Sequence, residues 1–407
     1  MMKIQTTKEN PERYDDEWFK DTIVGRVLAN SRNFQRKFKG RISEVYWKPN
    51  DFLKKISEYI WDKTNVREMD HWTLIFGYEG SGKSSFSIML YNALMKQRNE
   101  ELGEDLEIKE FLKNDLIFMQ SEYAKATYNY TKSRELGKQH PIIIDDAHYV
   151  FGKYYGQTSE TQSLLQIARF VRSQQIIHIL NTQVPQQLFA DIWRERVNTY
   201  LYCFAVDVMS AKTQRIKSGH LYVAFYNMET SQDFREDPLI RKPLFWRKIL
   251  SRHPPDMITR FDVLFSYTTE LYQTYKDVKN FYAKFYQYLR YKGVTKGKYF
   301  EMIFRILTDV AKAYKENGRV SQYLLGEIIQ DFISVMPEQT KKKLNEYLII
   351  WEDLNTGLWT LDTELFELAV RNADLLLLRN KIFSGNEFVK KPAKIQKNEE
   401  NEDDEDM

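Results

Sequence analysis

The sequence predicts an α/β core, a mainly parallel sheet covered by helices, followed by a helical C-terminal domain. Three observations carry that expectation. Between about residues 66 and 235, short apolar runs alternate with stretches of helical periodicity, the pattern of strands joined by crossover helices. A glycine-rich turn at Gly77–Ser84 separates the first apolar run from the first of those helices. From about 259 to 383, Tyr, Phe and Leu recur at three- and four-residue spacing, the period of helices that bury one face.

The expected strands are Trp72–Phe76, Leu116–Met119, Ile142–Ile144, Ile176–Leu180, Thr199–Val206 and Leu221–Tyr226. The expected helices between them are Lys83–Gln97, Ser121–Tyr130, Glu160–Ser173 and Pro185–Arg194. The last two strands follow each other without a helix and so form an antiparallel extension. Residues 1–65 read as a partly helical N-terminal extension, with a helix around Asp51–Trp61 where Phe52, Ile56, Tyr59 and Ile60 share a face. Residues 236–258 combine four prolines with Arg241, Lys242, Arg247, Lys248 and Arg252 and read as a basic linker. The helical domain then spans 259–385, and 386–407 is a Lys-rich then acidic tail expected to be disordered.

A chain of 407 residues, 43% hydrophobic and 29% charged, can bury a sizeable core. The net charge of +3 hides an asymmetry: without the acidic run Glu399–Asp406 the body is distinctly basic, which suits a polyanionic partner. The single cysteine, Cys203, excludes internal disulfides and cysteine-rich zinc sites. No apolar run is long enough to span a bilayer, and no apolar stretch follows the N-terminal charge as in a signal peptide. A cytoplasmic location is expected.

Gly77-Tyr78-Glu79-Gly80-Ser81-Gly82-Lys83-Ser84 fits G-x-x-x-x-G-K-[ST], with an apolar run before it and a helical pattern after it; Gly77, Glu79 to Ser84 and the adjoining Ser85 are the nucleotide-binding candidates. The glycines let successive N–H groups curl inward onto phosphate oxygens, and the helix start adds partial positive charge. The pattern points to ATP, with Lys83 on the β- and γ-phosphates and the Ser84 hydroxyl on Mg2+. The run Ile142–Ile144 ends in Asp145 and Asp146, which would hold the metal and polarise an attacking water, respectively; the plainer alternative is two helix-capping aspartates. The apolar run at Ile176 leads into Asn181-Thr182-Gln183, where the amide of Asn181 or Gln183 would sense a γ-phosphate, the alternative being polar loop residues that cap the helix after Pro185. His148 and His178 read as packing histidines. Arg169 and Arg172 lie three apart on one helix, and Arg194 and Arg196 follow the amides; each is a finger candidate or a solvated surface group.

This order of elements resembles the additional-strand division of P-loop ATPases. The stretches Ile142–His148, Ala168–Arg172, Ile177–Gln183 and Trp193–Val197 are similar to the FtsK–HerA group and its Zot-like relatives, and differ from it at Asp146, where that group has Glu. The resemblance implies a DNA-translocating or packaging motor working as a homo-oligomeric ring, with an arginine completing a neighbour's site. Two other readings stay open: an AAA+ loader, initiator or remodeller, and a nucleotide switch with little turnover. The aromatic and basic stretch Phe265–Lys292 serves as helical core, partner interface or nucleic-acid surface, and Arg290–Lys298 as a basic contact loop.

Overall fold

The computed structural model describes residues 16–65, 70–105, 107–132, 141–152, 159–170, 175–209, 216–227, 232–261, 270–294 and 297–384. The strands are β1 (His71–Phe76), β2 (Leu116–Ile117), β3 (Ile142–Ile144), β4 (Ile177–Thr182), β5 (Thr199–Met209), β6 (Ile216–Asn227) and β7 (Met257–Phe261). They form one sheet in the order β2-β3-β4-β1-β5-β6-β7. The first five run parallel, and β6 and β7 extend them antiparallel. A small hairpin of β8 (Ile350–Glu352) and β9 (Trp359–Leu361) lies in the helical region.

Both faces of the sheet are covered, so β1 and β4 are buried along their whole length. The two-residue strand period sorts their side chains. Ile75, Ile143, Ile179, Leu201 and Cys203 enter one apolar cluster, while Trp72, Leu74, Phe76, Ile142, Ile144, Tyr200 and Tyr202 enter the other. The first cluster does not stop at the sheet. It runs through helices Pro49–Asn65 and Lys83–Leu102 into Glu270–Tyr291, Gly297–Asn317 and Ala373–Ser384. The C-terminal helices therefore share a continuous core with the sheet. Tyr272, Tyr275, Phe281, Tyr282 and Phe285 of the aromatic stretch are all buried in it, which places that stretch with the core reading.

Several elements differ from expectation. Pro185–Arg194 is not one helix: Pro185–Gln187 is a 3-10 turn, Leu188 pairs its backbone with Gly152, and Ala190–Trp193 is a separate short helix. Pro185 starts the turn, and the buried Leu188 breaks it. The stretch read as a linker is packed: Ile240, Ile249 and Leu250 are buried, Asp237 accepts from Arg252 and His253, and Pro254 and Pro255 lead into β7 on the edge of β6. Helices Ile23–Ala29 and Arg32–Phe38, capped by Thr22 and Ser31, and helix Ile108–Asp115 have no counterpart in the sequence reading. The acidic tail lies outside the described residues.

A buried ion pair ties the helical region to the sheet. The guanidinium of Arg379, with no exposed surface, lies 2.7 Å from Glu122. It also donates to Tyr282 Oη at 3.1 Å and to the Lys113 carbonyl at 2.8 Å. Glu122 in turn accepts from Tyr282 and from the backbone N–H groups of Phe118 and Met119 at 2.8 and 3.2 Å. Removing one member strands the other charge in a dry site, so Arg379→Met should cost about 3–5 kcal/mol. Denaturant unfolding measures it; a loss below about 1 kcal/mol would mean the pair is solvated.

Candidate nucleotide and metal site

The parallel register decides what meets at the sheet's edge. Ile75 stands opposite Asn181, Phe76 opposite Thr182, and Ile144 opposite Leu180. The residues that follow, Gly77, Gln183 and Asp145, therefore emerge side by side from the carboxyl ends of β1, β4 and β3, where open α/β sheets bind ligands. β4 lies between β1, which leads into the glycine-rich loop, and β3, which leads into the two aspartates.

From β1 the chain turns at Gly77, where a Cβ would stand 2.0 Å from the Cys203 carbonyl, and it enters helix Lys83–Leu102 through Gly82 at φ +81°. A side chain at Gly82 would collide with Leu221 of β6. Between them, Tyr78 clips the loop to β5: its hydroxyl donates to the Ala205 carbonyl at 2.8 Å and accepts from the Ala205 N–H at 3.0 Å. Glu79 and Gly80 form the exposed rim, and Ser81 and Ser85 are buried. The Ser81 hydroxyl has no hydrogen-bond partner among the described residues. A buried hydroxyl inside a curl of glycines fits an anion with oxygens to share. Lys83 donates to the carbonyls of Gly77 and Tyr78, at 3.0 and 2.8 Å, so its ammonium sits within the loop. Burial holds its pKa below the ordinary value against the pull of Asp145 and Asp146.

Asp145 is 1% exposed and surrounded by four donors from three elements. Its Oδ1 accepts from Asn181 Nδ2 at 2.9 Å and from Ser84 Oγ at 3.5 Å. Its Oδ2 accepts from Tyr275 Oη at 2.7 Å and from Lys279 Nζ at 2.6 Å. Burial would raise this carboxyl's pKa; the Lys279 charge and the three hydrogen bonds from Lys279, Tyr275 and Asn181 reverse that and hold it below the usual carboxylate value. Asp146 follows in the left-handed region at φ +47°, which Asp tolerates, and this turn brings the Ala147 N–H onto the Asn181 carbonyl at 2.7 Å. Asp146 is partly exposed and lies 3.3 Å from Lys279.

No family model matches the chain, and a comparison with curated proteins finds no match. Among solved structures it is similar to the N-terminal domain of zonular occludens toxin from Neisseria meningitidis. The identity is 18% over 39% of this chain and 84% of that chain, at a TM-score of 0.25. What the site can do follows from its own residues.

The loop, Ser84, Asp145 and Asn181 are thus assembled, while the other anticipated groups are disposed differently. Asn181 is buried and bonds Asp145 and Ser87, so it braces the acid from below. Gln183 has an exposed side chain, and its carbonyl accepts from the Gly77 N–H at 3.3 Å. Arg169 pairs with Asp191, Arg194 lies over the Trp193 ring, Arg196 is partly exposed, and Arg172 is outside the described residues. His178 stacks on Trp72 at 3.9 Å, a core histidine whose pKa burial lowers to about 3. His148 stands beside Tyr149, with a ring centroid separation of 4.2 Å.

Sequence reasoning missed Tyr275 and Lys279. Both were visible only as members of an aromatic, basic helical stripe, and nothing in that stripe names Asp145 as their partner.

The Tyr78 clip sets how rigid the loop is. Tyr78→Phe leaves a strand N–H and carbonyl unpaired and should cost about 1–2 kcal/mol. Hydrogen exchange should speed up at 77–82; unchanged exchange there would mean the clip does not restrain the loop.

Proposed function

We propose that this chain binds ATP on the Gly77–Ser84 loop and hydrolyses it with Mg2+ held by Ser84 and Asp145. The observation that carries the reading is the meeting of Ser84 and Asp145, 61 residues apart in sequence, at 3.5 Å beside a glycine curl that opens a 20-residue helix. A bound Mg2+ would neutralise and orient the β- and γ-phosphate oxygens. The backbone N–H groups of the loop and the N-terminus of helix Lys83–Leu102 receive phosphate oxygens, and Lys83 exchanges its two carbonyl partners for them. Asn181 keeps Asp145 in place. Asp146, left-handed in backbone and partly exposed beside Asp145, would orient a water. The position of β4 between β1 and β3 supports the additional-strand reading.

The further part of the proposal is a DNA-translocating or packaging motor, acting as a homo-oligomer in which Arg169, Arg172 or Arg196 completes a neighbouring copy's site. Its support is an exposed basic surface formed by Arg241, Lys242, Arg247 and Lys248, suited to phosphates without reading sequence. In the second basic segment Lys292 is already paired with Asp362 at 2.9 Å, which leaves the 241–248 surface as the better contact. The strands β5–β7 stand where an AAA+ chain would pass directly to its helical lid, and this favours the motor over the loader. No helix among the described residues is long and apolar enough to cross a membrane.

Lys83→Ala should weaken ATP binding by about 10- to 100-fold, the range for losing hydrogen bonds from a charged group. Asp146→Asn should reduce turnover far more than affinity. Long duplex DNA should stimulate the ATPase severalfold, more strongly at low salt. Unchanged ATP affinity in Lys83→Ala would overturn the loop assignment, and a DNA-indifferent rate would overturn the motor.

A further inference from the structure

Helix Glu270–Tyr291 lays one polar stripe across the candidate site. Tyr275, Lys279, Tyr282 and Tyr286 recur at four, three and four residues and so share a face. Their polar ends contact the segments that follow β2 and β3. Tyr286 donates to the Phe118 carbonyl at 3.2 Å, Tyr282 to Glu122, and Tyr275 and Lys279 to Asp145. One helix thus engages the carboxylate on which the metal assignment rests, whose other oxygen accepts from Ser84.

We infer that the Tyr275–Lys279 pair and a divalent cation are alternative partners of Asp145, so that the helical region controls entry of the metal–nucleotide complex. The inference rests on the nucleotide reading above and adds its regulation. Occupancy and charge both oppose a cation here. Lys279 Nζ lies 2.6 Å from Asp145 Oδ2 and 3.3 Å from Asp146 Oδ2, so it already balances the carboxylate a cation would need and its neighbour. A second, doubly charged cation within a few ångströms of that ammonium is repelled in a partly buried site. Tyr275, 2% exposed, donates to the same Asp145 oxygen as Lys279, so a cation must displace both donors to take that oxygen. Admitting the metal therefore requires this end of the stripe to lift, while Tyr282 remains latched to Glu122 and Arg379. A site that must open before it binds shows an apparent affinity reduced by its open fraction. A second element or partner that holds the helix away would raise that fraction.

The test uses the full chain with a fluorescent ATP analogue, titrated in EDTA and in Mg2+. In the wild-type protein Mg2+ should improve affinity little. In Lys279→Met it should improve affinity about tenfold or more, with binding in EDTA changed less than about twofold, as removal of a closed population predicts. Lys279→Arg keeps the charge and should behave as wild type. Equal Mg2+ dependence in Lys279→Met and wild type, or weaker binding in Lys279→Met, would overturn the inference. Binding in EDTA that survives Lys83→Ala would instead overturn the underlying nucleotide reading, so the two failures are distinct. Should Lys279→Met not fold, hydrogen exchange of the wild type decides: residues 272–281 must lose protection with Mg2+ and the analogue together, but not with the analogue in EDTA. Unchanged protection contradicts the inference.

Discussion

A carboxylate taken out of water must be surrounded by donors or cations, and Asp145 meets that requirement only if three separate elements arrive together. Asn181 comes from β4, Ser84 from the phosphate-loop helix, and Tyr275 and Lys279 from the first helix of the C-terminal region. Each donor constrains the register of its element against β3. The parallel pairing of β3 with β4 and of β4 with β1 then sets the height of the loop above the acid. The site is thereby a consequence of satisfying one buried charge.

The same logic explains why the C-terminal helices are not a separate body. They share an apolar cluster with one face of the sheet and meet it through polar contacts that include those at Asp145 and at Glu122. These two contacts differ in chemistry. Glu122 is saturated by Arg379, Tyr282 and two backbone N–H groups, all internal to the chain. Asp145 has partners that a metal could replace. One contact holds the helix, and the other is exchangeable.

Much of this was legible before the structure. The phosphate loop could be read because its chemistry needs fixed residues at fixed spacing, and β3 because three isoleucines run into two aspartates. The antiparallel β5 and β6 followed from two apolar runs without an intervening helix. β7 was missed because five residues after Pro254 and Pro255 look like the end of a linker; its partner β6 gives it meaning. Asp145 was legible as an acid, whereas its lysine was not. Lys279 is 134 residues away and one of several lysines in its helix, and only tertiary packing selects it. Asn181 read as a residue facing the nucleotide, yet its burial beneath Asp145 makes it a brace.

The central claim is that Asp145 and Lys279 interact directly and exchangeably. A double-mutant cycle on stability tests this, comparing Asp145→Asn, Lys279→Met and the double variant in denaturant with EDTA present. The account predicts a coupling of about 1–3 kcal/mol, the range for residues in contact, that falls toward zero when Mg2+ and nucleotide saturate the protein. Additive effects in EDTA, within about 0.5 kcal/mol, would contradict it.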